Sequence, residues 1–372
     1  MGYKALVVNR VNHDDPSNIG VINKLEGQVG GFKYCGIETD RIYHRNTGIY
    51  INERCLHQWK SQKPGISEKW HFFSALNKPE LLDYDIYVIR YGLATYPMLR
   101  WLREIRNTNE HAIILLDMPT YPYEEEWKGL YGIVALEVDR ILRKELAHYV
   151  DYILHSGSEK QIFDIKTVRM TNGVNIDRIP IRVPEEGNTG IRLIALGKWS
   201  YWHGIDRILD GMSEYVREGG KDLFLDIVGV GPASGDIEKS ISDNNLNDYV
   251  IIHGVVQGPA LDELINRSDL GIGTLGLHRK GVSLDSSLKH REYTARGLPF
   301  IMAGQDADDL HEQPFTYVIS ADDTPVDIAT IRDYANQNSR NDVVRLMRRY
   351  ASEHLTWKHK MNQLLKKIGI LK

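Results

Sequence analysis

The chain has 372 residues, of which 42% are hydrophobic and 26% charged, and its net charge is -4. This length corresponds to about two globular domains, and the composition excludes a disordered chain, a collagen-like chain and a small disulfide scaffold. The near-balanced charge argues against non-specific nucleic-acid binding, and the two separate cysteines argue against a zinc site or a disulfide framework.

The N-terminal half is predicted to form a mostly parallel α/β domain. The apolar run Ala5–Asn9 is typical of a buried strand, and Gly20 opens a helical pattern after a polar loop. Further apolar runs alternate with helical patterns at Met98–Arg106 and Leu130–Val150. These runs are Ile86–Ile89, Ala112–Leu116 and Tyr152–His155.

The C-terminal half is predicted to form a second domain of the same kind, after a linker rich in Gly, Pro and Asn. The predicted strands are Arg192–Leu196, Leu223–Val228, Val250–His253, Leu270–Thr274, Phe300–Met302 and Tyr317–Ile319. The predicted helices are Asp206–Glu218, Asp236–Asn244, Pro259–Asn266, Leu288–Ala295 and Asp306–His311.

The expected fold class is therefore α/β, with two Rossmann-like domains facing across a cleft. We place the first domain at 1–178, the linker at 179–190 and the second domain at 191–352. The last helix, 353–372, is expected to pack on the first domain. Ligands bind outside the carboxyl ends of parallel strands, so the predicted site lies in the cleft.

Two cationic side chains follow the first strand of the second half. Gly197 ends this strand, Lys198 and His203 follow within a few residues, and a helix begins near Asp206. Backbone N–H groups at a helix N-terminus favour an anion, so this turn is a candidate phosphate site. The alternative is an ordinary turn with an exposed lysine.

The next strand of the second half runs into a pair of glycines. At Gly229 and Gly231 the backbone can approach a ligand closely, because neither residue carries a side chain. The pair is not a dinucleotide-binding fingerprint, because Ser234 stands where the third glycine would be. An ordinary tight turn is the alternative.

A helix that starts near Ser287 and stops at Gly297 carries a third pair of candidates. Lys289 and Glu292 are three residues apart and share one face near the helix N-terminus. The lysine suits a phosphate, and the glutamate suits sugar hydroxyls. The alternative is an ion pair between the two side chains.

Taken together, these segments resemble the retaining, nucleotide-sugar-dependent glycosyltransferases of the GT-B fold (family 4, or group 1). The resemblance is dense across about 170–300 and weaker across 1–170. It rests on motifs that occur in the order Asn172-Gly-Val-Asn, Gly197-Lys-x4-His-Gly-x-Asp, Val228-Gly-x-Gly, His253-Gly-Val, Ser268-Asp-Leu and Leu288-Lys-x2-Glu-Tyr-x3-Gly-Leu-Pro. Leu355-Thr-Trp357 and the residues after it are also similar to the family's last helix, which packs on the first domain.

The resemblance implies a role for each matched residue. Lys198 and His203 match two cations of the donor diphosphate site, and Glu292 matches the carboxylate that binds the nucleotide ribose; we take these three as the catalytic positions. The other implied donor-binding residues are Gly20, Gly197, Gly229, Gly231, His253, Val255, Asp285 and Lys289.

One position departs from the family's Glu-x7-Glu motif. Leu284 stands where the first glutamate is expected, and Asp285 follows it. In the family this carboxylate holds hydroxyls of the donor sugar, so Asp285 is a candidate replacement and the donor stays open. Contacts to the acceptor or donor sugar are predicted in the first domain for Arg90, Asp117 and Tyr121, with a polar surface loop as the alternative for the last two.

The activity that the resemblance implies is transfer of a sugar, with retention, from a nucleotide-diphosphate sugar such as a UDP- or GDP-sugar. The acceptor is a hydroxyl of a glycan or a lipid-linked molecule, in polysaccharide or glycan biosynthesis. Lys198, His203 and Lys289 would stabilise the leaving diphosphate. No cofactor or metal is implied, and the sequence has no His cluster at metal-ligand spacing.

A cytoplasmic location is expected, because no apolar run suits a transmembrane helix or a signal peptide. From Val343 to Lys372, eight Lys or Arg residues oppose Glu353 alone. An apolar stripe runs through the same region at Leu346, Tyr350, Trp357, Met361, Leu364, Leu365 and Ile368. This pattern indicates packing on the first domain with a solvated basic face. A second, more specific hypothesis is that the basic face makes peripheral contact with anionic lipid at the inner membrane face.

Three other functions compete with an active transferase. A non-catalytic nucleotide-sugar-binding or scaffold subunit is motivated by Leu284 and by histidine at position 203. A nucleotide-sugar 2-epimerase fits the segment around Lys289 less well, and the incomplete glycine fingerprint argues against a dehydrogenase. Release of nucleotide from a donor, with and without an acceptor, distinguishes the first alternative from a transferase.

Overall fold

The structure is a computed structural model that describes residues 2–59, 70–127, 129–185, 190–338 and 341–371. The chain divides into two compact units, Met1–Thr171 with Trp357–Lys372, and Asn172–Thr356. The first unit thus ends at 171 rather than 178, and the chain returns to it at 357 rather than 353. Residues 186–189 of the predicted linker and Lys372 lie outside the described residues.

In the described part of the first unit, nine strands form one sheet in the order β4-β3-β2-β1-β5-β6-β7-β9-β8. The strands are β1 (Lys4–Asn12), β2 (Glu38–Arg45), β3 (Gly48–Ile51), β4 (Arg54–Gln58), β5 (Ile86–Arg90), β6 (Ile113–Asp117), β7 (Tyr152–His155), β8 (Gln161–Ile162) and β9 (Ile165–Arg169). The pairs β2–β1–β5–β6–β7–β9 are parallel, and the outer pairs are antiparallel. Three helices of this unit are α1 (Ile19–Tyr34), α2 (Tyr96–Thr108) and α3 (Gly129–Leu142).

The parallel strands and helices predicted for the first half are therefore confirmed, with two exceptions. The outer strands β2–β4, β8 and β9 were not predicted. β4 is largely exposed and β2 carries several polar residues, so neither shows the apolar run of a buried strand. The helix predicted to reach Val150 ends at Leu142, where a 3-10 helix continues over Arg143–His148.

The second unit contains a six-stranded parallel sheet in the order β12-β11-β10-β13-β15-β17 within its described residues. Its strands are β10 (Ile191–Leu196), β11 (Leu223–Val228), β12 (Val250–Gly254), β13 (Leu270–Ile272), β15 (Phe300–Ala303) and β17 (Thr316–Ile319). A separate parallel pair is formed by β14 (Leu284–Asp285) and β16 (Gln305–Asp306). The helices are α4 (Ile205–Arg217), α5 (Ser234–Asp243), α6 (Pro259–Asn266), α7 (Leu288–Arg296), α8 (Ile328–Asn338) and α9 (Asn341–Tyr350).

All six predicted strands of this unit are confirmed, but the helix predicted over Asp306–His311 is wrong. Asp306 ends β16, and a 3-10 turn over Leu310–Glu312 follows it. Asp309 has a φ of +56°, a left-handed conformation that a helix cannot contain. The carboxylate of Asp306 also accepts two hydrogen bonds from the guanidinium of Arg291.

The last helix, α10 (Trp357–Lys367), packs against α1 in the first unit. Gly27 makes this approach possible, because a Cβ on it would overlap the indole of Trp357. The apolar stripe predicted for the C-terminal region is not one surface. Its part from Trp357 to Ile368 is buried in the first unit, whereas Leu346 of α9 is 43% exposed.

Of the helices within the described ranges, none is both long and apolar enough to cross a membrane.

Candidate active site

The turn after β10 is joined by hydrogen bonds to the end of β11. Gly197 donates its backbone N–H to the carbonyl oxygen of Val228 at 3.0 Å, and the indole N–H of buried Trp199 donates to the carbonyl oxygen of Gly229 at 3.1 Å. The side chain of Lys198, between them, is exposed. The turn predicted to bind a diphosphate is therefore built at the carboxyl edge of the parallel sheet.

Gly229 and Gly231 are required by the packing of these two loops. Gly229 has a φ of +109°, and a Cβ on it would overlap the carbonyl oxygen of Gly197. A Cβ on Gly231 would overlap the backbone of Trp199. Because this close approach explains both glycines without a ligand, their place beneath a nucleotide stays a prediction.

His203 ends a short 3-10 helix that begins at Tyr201. Its Nδ1 lies 3.0 Å from the backbone nitrogen of Ser200 and 3.2 Å from the carbonyl oxygen of the same residue. Burial, and then the charges of Lys289 and Lys280, hold the pKa of the imidazole well below its usual 6.5. At neutral pH His203 therefore offers an N–H donor rather than a second positive charge.

Lys289 is a buried amine in the first turn of α7. Lys289 is 8% exposed, and its Nζ has no hydrogen-bond partner among the described residues. The Nζ lies 5.0 Å from the centroid of the Trp199 ring, which connects α7 to the turn after β10. Burial lowers the pKa of the amine to about 7, against the opposing charge of Asp285. An unpaired buried donor is costly, so this position suits a ligand that brings negative charge.

The carboxylate of Asp285 interacts electrostatically with the amine of Lys289. It ends β14 and is paired in register with Asp306 of β16. Its charge raises the pKa of the Lys289 amine, although burial has the larger effect on that amine. Leu284 precedes it on the same strand, and replacement of the missing glutamate by Asp285 stays a prediction.

Glu292 is partly exposed and has a partner on its own helix. The Nε of Arg296 donates to Oε1 of Glu292 at 3.0 Å, and Nη1 of Arg296 donates to Oδ1 of Asp262 at 2.6 Å. The alternative of an ion pair between Lys289 and Glu292 is wrong. On this helix the ion pair joins Glu292 to Arg296 instead. These residues are four apart, a spacing at which side chains on a helix are neighbours. The role of Glu292 at a ribose stays a prediction.

A buried ion-pair cluster that the sequence did not predict anchors α7. Arg291 donates through both terminal nitrogens to Asp306, at 2.5 and 2.7 Å, and through Nη2 to Asp308 at 2.5 Å. The Nδ1 of His290 lies 3.1 Å from Oδ2 of Asp306, while its Nε2 accepts the backbone N–H of Thr274 at 3.2 Å. The cluster holds the first turns of α7 against β16 and the end of β13.

The segment predicted to meet the nucleotide base lies at the edge of the same sheet. The Nε2 of His253 lies 2.7 Å from Oδ1 of Asp226, which is fully buried and also receives N–H groups from two arginine side chains. Gly254 accepts the backbone N–H of Gly229 at 2.6 Å, and Val255 is exposed. The ring of His253 is thus engaged in the structure, and only its backbone segment is left for the predicted contact.

In the first unit, the predicted site residues lie in different environments. Gly20 is exposed near the start of α1, and a Cβ on it would meet nothing within 4 Å. Asp117, at the end of β6, is 5% exposed; its Oδ2 lies 3.4 Å from the Nζ of Lys24 and accepts an N–H of Gln28 at 3.2 Å. Burial raises the pKa of Asp117, but the charges of Lys24 and Arg90 outweigh it and keep the pKa low. Tyr121 packs on the apolar core.

Asp117 therefore has partners inside the protein, so the alternative of a polar surface loop does not describe it. Its predicted sugar contact, like that of Tyr121, stays a prediction.

Arg90 lines a cavity of about 320 Å³ in the first unit. Arg10, near the end of β1, lines the same cavity and was not predicted. The signal was present, because Arg10 follows an apolar run in the same way as Arg90 follows Ile86–Ile89. Other described lining residues are Trp59, Trp70, Phe72, Tyr91 and Trp127. Among the described residues, no group of His, Cys, Asp and Glu is placed to hold a metal ion.

No protein-family model matches the chain, and no curated protein matches its sequence. Solved structures match it over almost its whole length. Sucrose-phosphate synthase from Thermosynechococcus elongatus has 13% identity and a TM-score of 0.67, with 98% of this chain and 99% of that chain covered.

Two further matches show the same two-unit architecture. The catalytic domain of starch synthase IV from Arabidopsis thaliana, bound to ADP and acarbose, has 10% identity, a TM-score of 0.67 and 98% of each chain covered. HepE from Anabaena, in complex with UDP and glucose, has 10% identity and a TM-score of 0.58, with 99% of this chain and 100% of that chain covered. The chain therefore has the two-domain GT-B fold of these proteins, as its sequence motifs predicted.

Proposed function

We propose that this chain is a glycosyltransferase that moves a sugar, with retention, from a nucleotide-diphosphate sugar to a hydroxyl of a glycan or lipid-linked acceptor. The observation that carries the proposal is the unpaired, buried amine of Lys289 beside the turn after β10. Structural neighbours with the same fold bind UDP, UDP-glucose or ADP, which supports a nucleotide as the ligand.

The chemical demand of this reaction is stabilisation of the charge that develops on the leaving diphosphate. Preorganised donors in a site with little water meet this demand well. Lys289 supplies a cation once the diphosphate raises its pKa, Lys198 supplies an exposed cation, and the neutral ring of His203 supplies an N–H. We propose that these three act on the diphosphate without a divalent metal.

A thermal-shift screen against UDP, GDP, ADP, CMP and dTDP, each beside its common sugar conjugates, is the first test of the proposal. Binding to the native state raises the melting temperature by mass action. A selective shift with one nucleoside diphosphate would identify the base. Nucleotide release would then be measured with and without acceptor, and with and without EDTA. Binding without release would instead favour a non-catalytic subunit, in keeping with Leu284 at the position of the missing glutamate.

Glu292→Ala is expected to weaken binding of the selected nucleotide by about ten- to hundredfold, the loss of hydrogen bonds to a charged group. Arg296 keeps Asp262 as a partner, so the melting temperature should change little. Titration calorimetry measures the affinity, with Glu263→Ala on the exposed face of α6 as the control. Equal affinity in the Glu292 and Glu263 variants would contradict a ribose contact.

We further propose peripheral contact of the basic C-terminal region with anionic lipid, at the cytoplasmic face of the membrane. Several of its basic residues contact the protein itself, since Arg348 donates to three backbone carbonyl oxygens, Lys367 donates to the carbonyl oxygen of Arg169, and Lys360 is buried. We expect sedimentation with anionic vesicles at low salt, lost at high salt because exposed charges are screened. Absence of sedimentation at low salt would remove this part of the proposal.

A further inference from the structure

The cavity of the first unit has two cationic side chains at one end. β1 and β5 are neighbouring parallel strands, with Val8 opposite Ile89. Arg10 and Arg90 therefore reach the same carboxyl edge of the sheet, and both line the cavity. No Asp or Glu is found among its described lining residues.

Neither guanidinium has an ion-pair partner within the described residues. The Nη1 of Arg90 is buried and lacks a hydrogen-bond acceptor in the same part of the chain. Among the described residues, Arg10 donates to the backbone carbonyls of Gly92 and Leu93, and its Cζ lies 5.5 Å from the ring centroid of Phe73. Burial lowers the pKa of both guanidiniums, because their charge is poorly solvated where they lie.

Three carboxylates act on these arginines through their charge, Asp117 and Glu126 on Arg90 and Asp139 on Arg10, and two of them have other partners. Asp117 is paired with Lys24 at 3.4 Å. Asp139, which is fully buried, accepts hydrogen bonds from two tyrosine hydroxyls and a backbone N–H, and lies 3.5 Å from Nη1 of Arg143. The described lining of the cavity therefore carries two buried guanidiniums and no carboxylate, an environment in which an anion is stabilised more than in water.

The remaining walls of the cavity are largely apolar. They include the aromatic side chains of Trp59, Trp70, Phe72, Tyr91 and Trp127. The volume of about 320 Å³ is at the lower end of the range for small-ligand sites, and most such sites combine apolar walls with a few placed polar groups. Aromatic faces suit the C–H face of a sugar ring, and arginine forks suit carboxylate and phosphate oxygens.

We propose that this cavity binds an acceptor sugar that carries an anionic group, a carboxylate or a phosphate, with the anion on Arg10 and Arg90 and the sugar ring against the aromatic walls. That the bound sugar is an acceptor rests on the proposed glycosyl transfer, whereas the binding of an anionic sugar in this cavity does not.

The test compares three sugars on the full chain, glucose, glucuronate and glucose 6-phosphate, with binding measured by ligand-observed NMR. At least one anionic sugar is expected to bind tenfold or more tightly than glucose, and the two anions distinguish a carboxylate from a phosphate ligand. Arg90→Gln removes the charge and is expected to abolish that preference. Arg100→Gln, at an exposed arginine of α2, is expected to keep it.

Failure of both anionic sugars to bind more tightly than glucose would overturn the assignment, as would an unchanged preference in folded Arg90→Gln. If the glutamine variant does not fold, Arg90→Lys takes its place: it keeps the charge but loses the fork, and a reduced preference is expected. The nucleotide thermal shift is recorded on the same samples. Anionic sugar bound without any nucleotide shift would remove the transferase proposal alone, whereas a nucleotide shift without anion preference would remove the cavity assignment alone.

Discussion

Asp306→Asn is expected to lower the free energy of unfolding of the second unit by about 3–5 kcal/mol, the cost of leaving a buried charge without its partner. Arg291 and Asp306 are both fully buried and share two hydrogen bonds. The substitution keeps the shape of the side chain but removes its charge, so among the described residues the guanidinium retains only Asp308 as a counter-ion, and this carboxylate is close to the surface. Because α7 carries Lys289, nucleotide affinity is expected to fall as well.

Urea unfolding followed by tryptophan fluorescence measures this loss. Asp308→Asn is the matched control, since it removes a carboxylate from the same arginine at a position that is 12% exposed; it should cost about 1–2 kcal/mol. Equal losses in the two variants would contradict the assignment of Asp306 as the main counter-ion. The two units can unfold separately, so the transition of the second unit is the one to compare.

The same ion pair predicts how stability depends on acid pH. Burial raises the pKa of Asp306, but the charge of Arg291 and the hydrogen bond from His290 outweigh it and hold the pKa well below 3.8. The folded state therefore binds this proton more weakly than the unfolded chain. Its stabilising contribution is complete above about pH 4 and is lost as the pH falls through the folded-state pKa. Asp306→Asn should flatten this part of the stability profile.

The sequence predicted the helices and turns that carry the site residues better than it predicted which side chains pair with one another. The stop of α7 at Gly297 is local, since a φ of +80° there favours glycine, and the prediction was confirmed. Arg291 and Asp306 are 15 residues apart, one on α7 and the other on β16, and they meet through tertiary packing. No spacing rule predicts such a contact.

The same limit applies to burial. The sequence placed Lys289 and Glu292 on one helix face, but helical spacing cannot show that the amine is buried beside Trp199 while the carboxylate pairs with Arg296. That difference depends on how the turn after β10 packs on α7. In the first unit, Arg10 and Arg90 each follow an apolar run near the end of a predicted strand. The sequence did not show that β1 and β5 are neighbours in the sheet, which places both arginines at one cavity.

Lys289→Met is expected to weaken binding of the selected nucleoside diphosphate by about ten- to hundredfold, through loss of a charge-assisted hydrogen bond. In the wild type, affinity should also fall as the pH rises above about 7, because the amine has a pKa of about 7 and must take up a proton to meet the diphosphate. The variant should lose this dependence. Calorimetry between pH 7.5 and 9.5 avoids the ionisation of the terminal phosphate, which lies near about 6.

Lys221→Met, at an exposed lysine of the same unit, should keep both the affinity and its pH dependence. An affinity within about twofold of wild type in Lys289→Met, where a lost contact should cost tenfold or more, would contradict the diphosphate site.

The stability of Lys289→Met distinguishes a binding residue from a structural one. The pKa of Lys289 is lower in the folded protein than its ordinary 10.5, so between pH 7 and 10.5 the unfolded chain binds more protons and the wild type becomes more stable as the pH rises. At pH 7 methionine of similar length removes a buried amine that has no acceptor among the described residues, so the variant should be at least as stable as the wild type. Weaker nucleotide binding together with equal or greater stability is the expected result for a residue retained for its ligand, since a residue retained for packing would lose both.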